Sequence, residues 1–105
     1  MILREWRGRA SASKSQAYPI HFRRNVLPGL ERFPGFLGAE LGRRQIDEAI
    51  EFVVLTRWRD RGAIEGFAGR DIDRAVVEPG AVAALIDFDE SVRHYEVIEA
   101  VRGAG

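Results

Sequence analysis

The sequence predicts an α+β fold of the ferredoxin-like kind, β-α-β-β-α-β, in which a four-stranded antiparallel sheet carries its helices on one face. Three patterns point there. Residues Ile2 to Arg9 alternate, with Ile2, Arg4 and Trp6 on one parity and Leu3, Glu5 and Arg7 on the other. Tyr18, Phe22, Val26, Leu30 and Phe33 recur at intervals of four, four, four and three, one stripe of a 3.6-period helix. "IEFVVLTRW", residues 50 to 58, is the most apolar run and is rich in β-branched and aromatic residues, as a central strand is.

The first strand runs from Ile2 and leaves through Gly8. In the polar stretch that follows, Ser13 and Gln16 have the spacing of a capping box, which predicts a helix start there. Pro19 is tolerated near a helix beginning, and Pro28-Gly29 should kink the far end. After the "FPGF" turn, Phe36 to Arg43 reads as a strand weakened by Gly38 and Gly42, glycines of the sort that mark a bulge or a close approach to the backbone. "RRQIDEA" is then a polar connection, short enough to make the second and third strands a hairpin. Asp60 is placed to cap a second helix with Ile64, Phe67 and Ala68 inward, ended by Gly69. Asp71 is placed to cap a further helical turn through Ile72, Ala75 and Val76, stopped at Pro79-Gly80. "AVAALI", 81 to 86, fits a helical turn or an extended piece equally, and Val92 to Val101 reads as the last strand.

A single domain over residues 1–105 is expected, with no internal repeat. In the third strand Phe52, Val54 and Trp58 share one parity while Val53 and Leu55 make the other apolar as well, so both sheet faces call for cover. Helices supply one cover, and a second copy in a two-fold homodimer most simply supplies the other. Sixteen basic and sixteen acidic residues give zero net charge, so no overall field draws the chain to nucleic acid or to a membrane surface. Lys14 is the only lysine. The absence of cysteine excludes a disulfide framework, a thiolate zinc site and a cysteine nucleophile. Charges at positions 4 and 5 come too early for a signal peptide and no run is long enough to span a membrane, so a cytoplasmic location is expected.

"EWRGR" at 5–9, "VLPGLERFPGFLGAELGRR" at 26–44, "EFVVLTRW" at 51–58, Ala63, Ile64, "FAGRDIDRAV" at 67–76 and "VRHYEV" at 92–97 together resemble the antibiotic biosynthesis monooxygenase superfamily. The resemblance runs from about residue 2 to residue 99. It implies a ferredoxin-like protomer, sheets paired face to face in a dimeric α/β-barrel, and a ligand cavity between each sheet and its helices. The superfamily holds cofactor-free oxygenases of aromatic polyketides, quinol monooxygenases and haem-degrading enzymes. The haem-degrading branch is recognised by an asparagine on the first strand, a tryptophan on the second helix and a histidine ligand just beyond. Here Trp6 stands near the first position and Phe67 on the helix, and no histidine lies between residues 22 and 93, so haem degradation is not expected.

Cofactor-free oxygenation needs an apolar, water-poor cavity and a base or hydrogen bond that stabilises the substrate's enolate or phenolate. His94 is the candidate base because an imidazole titrates near neutral pH; the competing reading is an ordinary strand histidine. Tyr95 must point to the opposite face. Trp6, Tyr18, Phe22, Asn25 and Phe67 are the candidate contacts to substrate, Trp58 is assigned to the core, and His21 falls farther round the helix, toward solvent. Arg57 needs a carboxylate such as Glu96, Glu51 or Glu40, and Arg4, Arg7 and Arg9 read as a solvated strand edge. No histidine spacing suggests a metal, no glycine pattern a phosphate, and no serine sits in a Gly-x-Ser-x-Gly elbow. The expectation is a cofactor-independent, metal-free monooxygenase-like homodimer for a hydrophobic, aromatic or polyketide-like small molecule. The alternative is a non-catalytic binding or assembly module on the same fold.

Overall fold

The computed structural model describes all 105 residues. Strands β1 (Ile2–Ser11) and β3 (Ala49–Trp58) form the centre of one antiparallel sheet, paired from Ile2 opposite Trp58 to Ser11 opposite Ala49. Strand β2 (Phe36–Ile46) flanks β3, and the other side of β1 is shared by two short strands, β4 (Asp87–Phe88) and β5 (Arg93–Glu96). The fourth strand position of the expected ferredoxin-like sheet is therefore filled in two pieces. The expected strand Val92 to Val101 is shorter at both ends: its ladder on β1 closes at Ile2 opposite Glu96, with Val97 N–H on the Met1 carbonyl (2.9 Å) as the last bond, and at its start Val92 N–H donates instead to the Asp73 carbonyl (2.8 Å). No helix is long and apolar enough to cross a membrane.

The connection predicted between β2 and β3 is mostly strand: β2 continues to Ile46, and the turn is Asp47-Glu48, with Asp47 in the left-handed region (φ 52°) that aspartate tolerates. Register shifts between Phe36 and Gly38 as a bulge, and a Cβ on Gly38 would come within 2.6 Å of the Arg57 guanidinium, so glycine there lets Arg57 cross the sheet to Glu40.

The first helical rod begins at Ala17, not at a Ser13 capping box: residues Ala12–Lys14 form a 3₁₀ turn in which the Ser13 hydroxyl meets that of Ser11 (2.9 Å). The rod is α1 (Ala17–His21), a π-helical turn (Phe22–Val26) and α2 (Leu27–Leu30). Pro28 has no N–H to continue the ladder, and just before it Leu27 N–H reaches back five residues to the Phe22 carbonyl. Helix α3 (Arg61–Ala68) is capped by Asp60, whose Oδ1 accepts from Ala63 N–H at 2.8 Å, and ends at Gly69 with φ 86°. Of the helical turn predicted at 71–76 only one hydrogen-bonded turn forms, with Arg74 N–H donating to the Asp71 carbonyl (3.2 Å), after which the chain is extended. Pro79-Gly80 does not stop a helix but starts one, α4 (Pro79–Ala84), because the first helical position needs no N–H.

The molecule measures 37 × 36 × 22 Å, one sheet and one helical layer deep. Even-numbered residues of β1 and β3 face the helices. Ala10, Tyr18, Phe22, Ile50, Phe52, Val54 and Ala81 form one core cluster, and Leu30, Trp58, Ala63, Ile64 and Ile72 form a second. The opposite face presents Leu3, Val53, Leu55 and Tyr95 among charges that pair with one another. Glu51 receives Arg44 (2.9 Å) and Arg9 (3.4 Å), Glu5 receives Arg93 (3.2 Å), and Arg9 also meets Asp89 (2.9 Å).

Candidate functional site

A cavity opens between the sheet and the helices, where the two core clusters meet. Its volume is about 60 Å³, several times the roughly 10–15 Å³ that one water needs. Ten of its fourteen lining residues are hydrophobic, and of the five expected ligand contacts Trp6, Tyr18 and Phe67 are among them. Strand alternation puts Arg4 and Trp6 on this side, and the Trp6 ring lies back over Gly8, where a Cβ would come within 2.9 Å of it. The Trp6 indole N–H is already committed to the Asp89 carbonyl at 2.8 Å, so this ring walls the cavity without offering its donor. Tyr18 stacks obliquely on Trp6 (5.7 Å between centroids), and burial, with Glu78 adding to it, pushes the Tyr18 hydroxyl above its ordinary pKa and keeps it protonated. Phe67 stacks on the fully buried Trp58 at 5.3 Å. Trp58 is a core residue, as expected, its N–H given to Thr56 Oγ1 at 2.8 Å.

Arg4 is the charged wall. It is 5% exposed, far from the solvated edge predicted for it, because β1 is an interior strand and Arg4 points to the helix side. Its guanidinium donates to the Ile72 carbonyl and to the Arg74 carbonyl (2.9 Å), and lies 5.6 Å over the Phe67 ring. Burial lowers its pKa to about 10, partly offset by Asp73, so the group is charged at neutral pH.

His94 faces the same side of the sheet, since it pairs with Arg4 across β1 and β5, yet it stands behind Arg4 and does not line the cavity. Arg4 Nη1 is 2.9 Å from His94 Nε2, and Asp73 Oδ1 is 3.2 Å from Nδ1. A guanidinium only donates, so Nε2 accepts and the ring proton sits on Nδ1, toward Asp73. Burial first, then Arg4, holds the His94 pKa below its ordinary value of 6.5, against the opposing pull of Asp73. On its outer side His94 borders an open groove with Ile2, Arg59, Asp60, Arg61 and Glu96. Tyr95 is exposed on the other sheet face.

Two helix residues exchange the places expected of them. His21 is buried and lines the cavity, whereas Asn25 is exposed and makes its side-chain hydrogen bond to His21, its Nδ2 being 3.1 Å from His21 Nδ1. The cause is α4, a segment whose sequence fits a helical turn and an extended piece equally, and whose Gly80 lies directly on the His21 ring. Phe22 is buried in the first core cluster and is not part of the cavity wall. The structure thus brings Trp6, Tyr18 and Phe67 together around the cavity, and adds Arg4, His21 and Thr56, which the sequence did not single out for it. Arg4 was legible, since it shares its strand parity with Trp6. No pattern within the first helix marks His21.

The model of the family described as antibiotic biosynthesis monooxygenase matches residues 1–79. Among solved structures, a Deinococcus radiodurans protein classed with the antibiotic biosynthesis monooxygenases is 18% identical, with 100% of each chain covered and a TM-score of 0.63. MhuD, a haem degrader from Mycobacterium tuberculosis solved with two haems in its active site, is 19% identical over 97% of this chain and 100% of its own, at a TM-score of 0.66. SnoaB, a cofactor-independent oxygenase from Streptomyces nogalater, is 15% identical over 97% of each chain, at 0.59. At such identities these structures share the fold. No curated protein matches the sequence. With the family model covering most of the chain and the ferredoxin-like sheet and helices in place, this protein belongs to the antibiotic biosynthesis monooxygenase family.

Proposed function

We propose that the protein is a monooxygenase-like, small-molecule-binding protein whose substrate is a hydrophobic aromatic or polyketide-like compound held between sheet and helices, and oxidised by dioxygen without a cofactor. The observation that carries this reading is the cavity itself, apolar and aromatic, with one buried cation in its wall. In such a site the Arg4 charge is weakly screened and stabilises an enolate or phenolate at the ligand. The carbanion then supplies the electrons: a CH₂ group and O₂ become C=O and H₂O, one oxygen atom ending in each product. SnoaB, which shares the fold, is a cofactor-independent oxygenase.

His94, the candidate base, has both ring nitrogens engaged, so we assign it the work of holding Arg4 in place through Nε2. That occupancy is also the observation that favours the second reading, a binding module without turnover. Haem does not fit these residues. His94 is engaged on both nitrogens and the His21 ring carries its proton on Nε2, so neither histidine offers an iron a free nitrogen.

The deciding experiment is oxygen uptake with a panel of anthrones and quinols, run beside ligand-binding titrations. Uptake of one O₂ per substrate, reduced at least tenfold by His94→Ala with the fold intact by circular dichroism, supports the oxygenase. Binding without uptake across the panel supports the module.

We further propose that the protein works as a homodimer in the cytoplasm, with a second copy covering the free sheet face. Leu3, Val53, Leu55 and Tyr95 on that face support this.

A further inference from the structure

One residue of the cavity wall carries a buried polar atom that has no partner. His21 is 8% exposed, and its Nε2 is shut off from water and hydrogen-bonds nothing in the chain. Its Nδ1 faces Asn25 Nδ2 at 3.1 Å, and an amide NH₂ only donates, so Nδ1 is the acceptor and the neutral ring carries its proton on Nε2. The ring is also held in position. A Cβ on Gly80 would lie 2.6 Å from both its Cε1 and its Nδ1, so α4 packs against its edge, and the Tyr18 ring lies 6.0 Å away. Asn25 belongs to the π-helical turn Phe22–Val26, an irregularity found frequently at functional sites. A buried donor left unmade lowers the folding equilibrium by about tenfold or more, and a fold that fixes both its tautomer and its orientation has prepared it for a missing acceptor.

We propose that the His21 Nε2–H is the recognition donor of this cavity, and that it binds the carbonyl or phenolate oxygen of an aromatic ligand whose ring lies among Trp6, Tyr18 and Phe67. This rests on the small-molecule reading of the cavity and adds to it the polar group that the ligand must carry. Selection follows from the chemistry. A site built around a buried donor discriminates against an analogue that lacks the acceptor much more strongly than an apolar wall discriminates against a methyl group.

Acetophenone, which only accepts, and cumene, which has its shape without the oxygen, are the probes. The chain has two histidines, so a long-range ¹⁵N–¹H spectrum of the imidazoles resolves His21 with His94 as the internal control. Acetophenone should bind about tenfold or more tightly than cumene and should shift the His21 Nε2 signal while leaving that of His94 in place. His21→Phe should bring acetophenone down to the affinity of cumene. Asn25 is exposed, so Asn25→Asp folds without difficulty. At about pH 8.5, where an imidazole is neutral, the new carboxylate accepts from Nδ1–H, Nε2 loses its proton, and the preference should vanish there too. Equal affinity of the wild type for the two probes overturns the proposal and leaves the aromatic cavity standing. Binding of neither overturns both. A preference that survives both substitutions overturns the role of His21 alone.

Discussion

Arg4 Nη1 lies 2.9 Å from His94 Nε2, joining two residues 90 positions apart through the pairing of β1 with β5. This contact exists only while His94 is neutral, because a protonated Nε2 would set one donor against another. Burial and Arg4 hold the folded-state pKa below the ordinary 6.5, so between that depressed value and 6.5 the unfolded chain binds more protons than the folded one. Stability is therefore complete above about pH 6.5 and declines as pH falls through the depressed pKa. Thermal melts from pH 7.5 down to 5 should show the decline, and His94→Asn should flatten it. A wild-type melting temperature constant over that range would contradict the assigned tautomer.

Arg4 gives three of its hydrogen bonds to fixed partners: two backbone carbonyls of the 72–74 segment and His94. A lysine carries the same charge on one atom and cannot reproduce that planar fork, so Arg4→Lys leaves at least one buried acceptor unmade. Urea unfolding should report a loss of about 1–3 kcal/mol. The same variant should weaken binding of anionic aromatic ligands more than that of neutral ones, since its point charge no longer sits over Phe67.

Gly80 and Gly66 both lie within helices, yet they should answer oppositely to alanine. At Gly80 a Cβ would meet the His21 ring at 2.6 Å, which forces either the ring or α4 to move, and Gly80→Ala should cost about 1–3 kcal/mol despite its better helix propensity. At Gly66 a Cβ meets nothing within 4 Å, so Gly66→Ala should stabilise the protein by up to about 1 kcal/mol. Paired melts decide this: a Gly80→Ala variant as stable as the wild type would contradict the packing of α4 on His21, and a destabilised Gly66→Ala would contradict the open space at Gly66.

The contrast between these two glycines also marks where sequence reading succeeds. Asp60 and Gly69 bracket α3 with signals that act within one turn, and the Tyr18, Phe22, Leu30 stripe is buried as its period requires. The environment of His21 is set by Gly80, far along the chain, and no helical period contains that information. The last strand shows the same limit: alternation identified Arg93 to Glu96, while the point at which it ends is tertiary, set by its register on β1, which closes at Ile2 opposite Glu96. Pro79-Gly80 carries an ambiguous local signal, since proline marks both the end of one helix and the first position of another.

The free sheet face bears on assembly. Its charges are largely neutralised within the chain: Glu51 is only 12% exposed at its side chain because Arg44, Arg9 and Arg7 lie over it, and Arg7 Nε is buried without a partner. Between these ion pairs stand Leu3, Val53 and Leu55, apolar residues that the helices cannot reach from the other side of the sheet. A surface so arranged can lose its water at little cost, and a two-fold mate presents the same pattern in reverse. We therefore expect a dimer in sedimentation velocity at micromolar concentration. Leu55→Asp should yield a monomer that retains its circular dichroism spectrum, because the side chain faces away from both core clusters. A wild-type chain that sediments as a monomer would remove the second cover and leave the apolar residues of this face without a role.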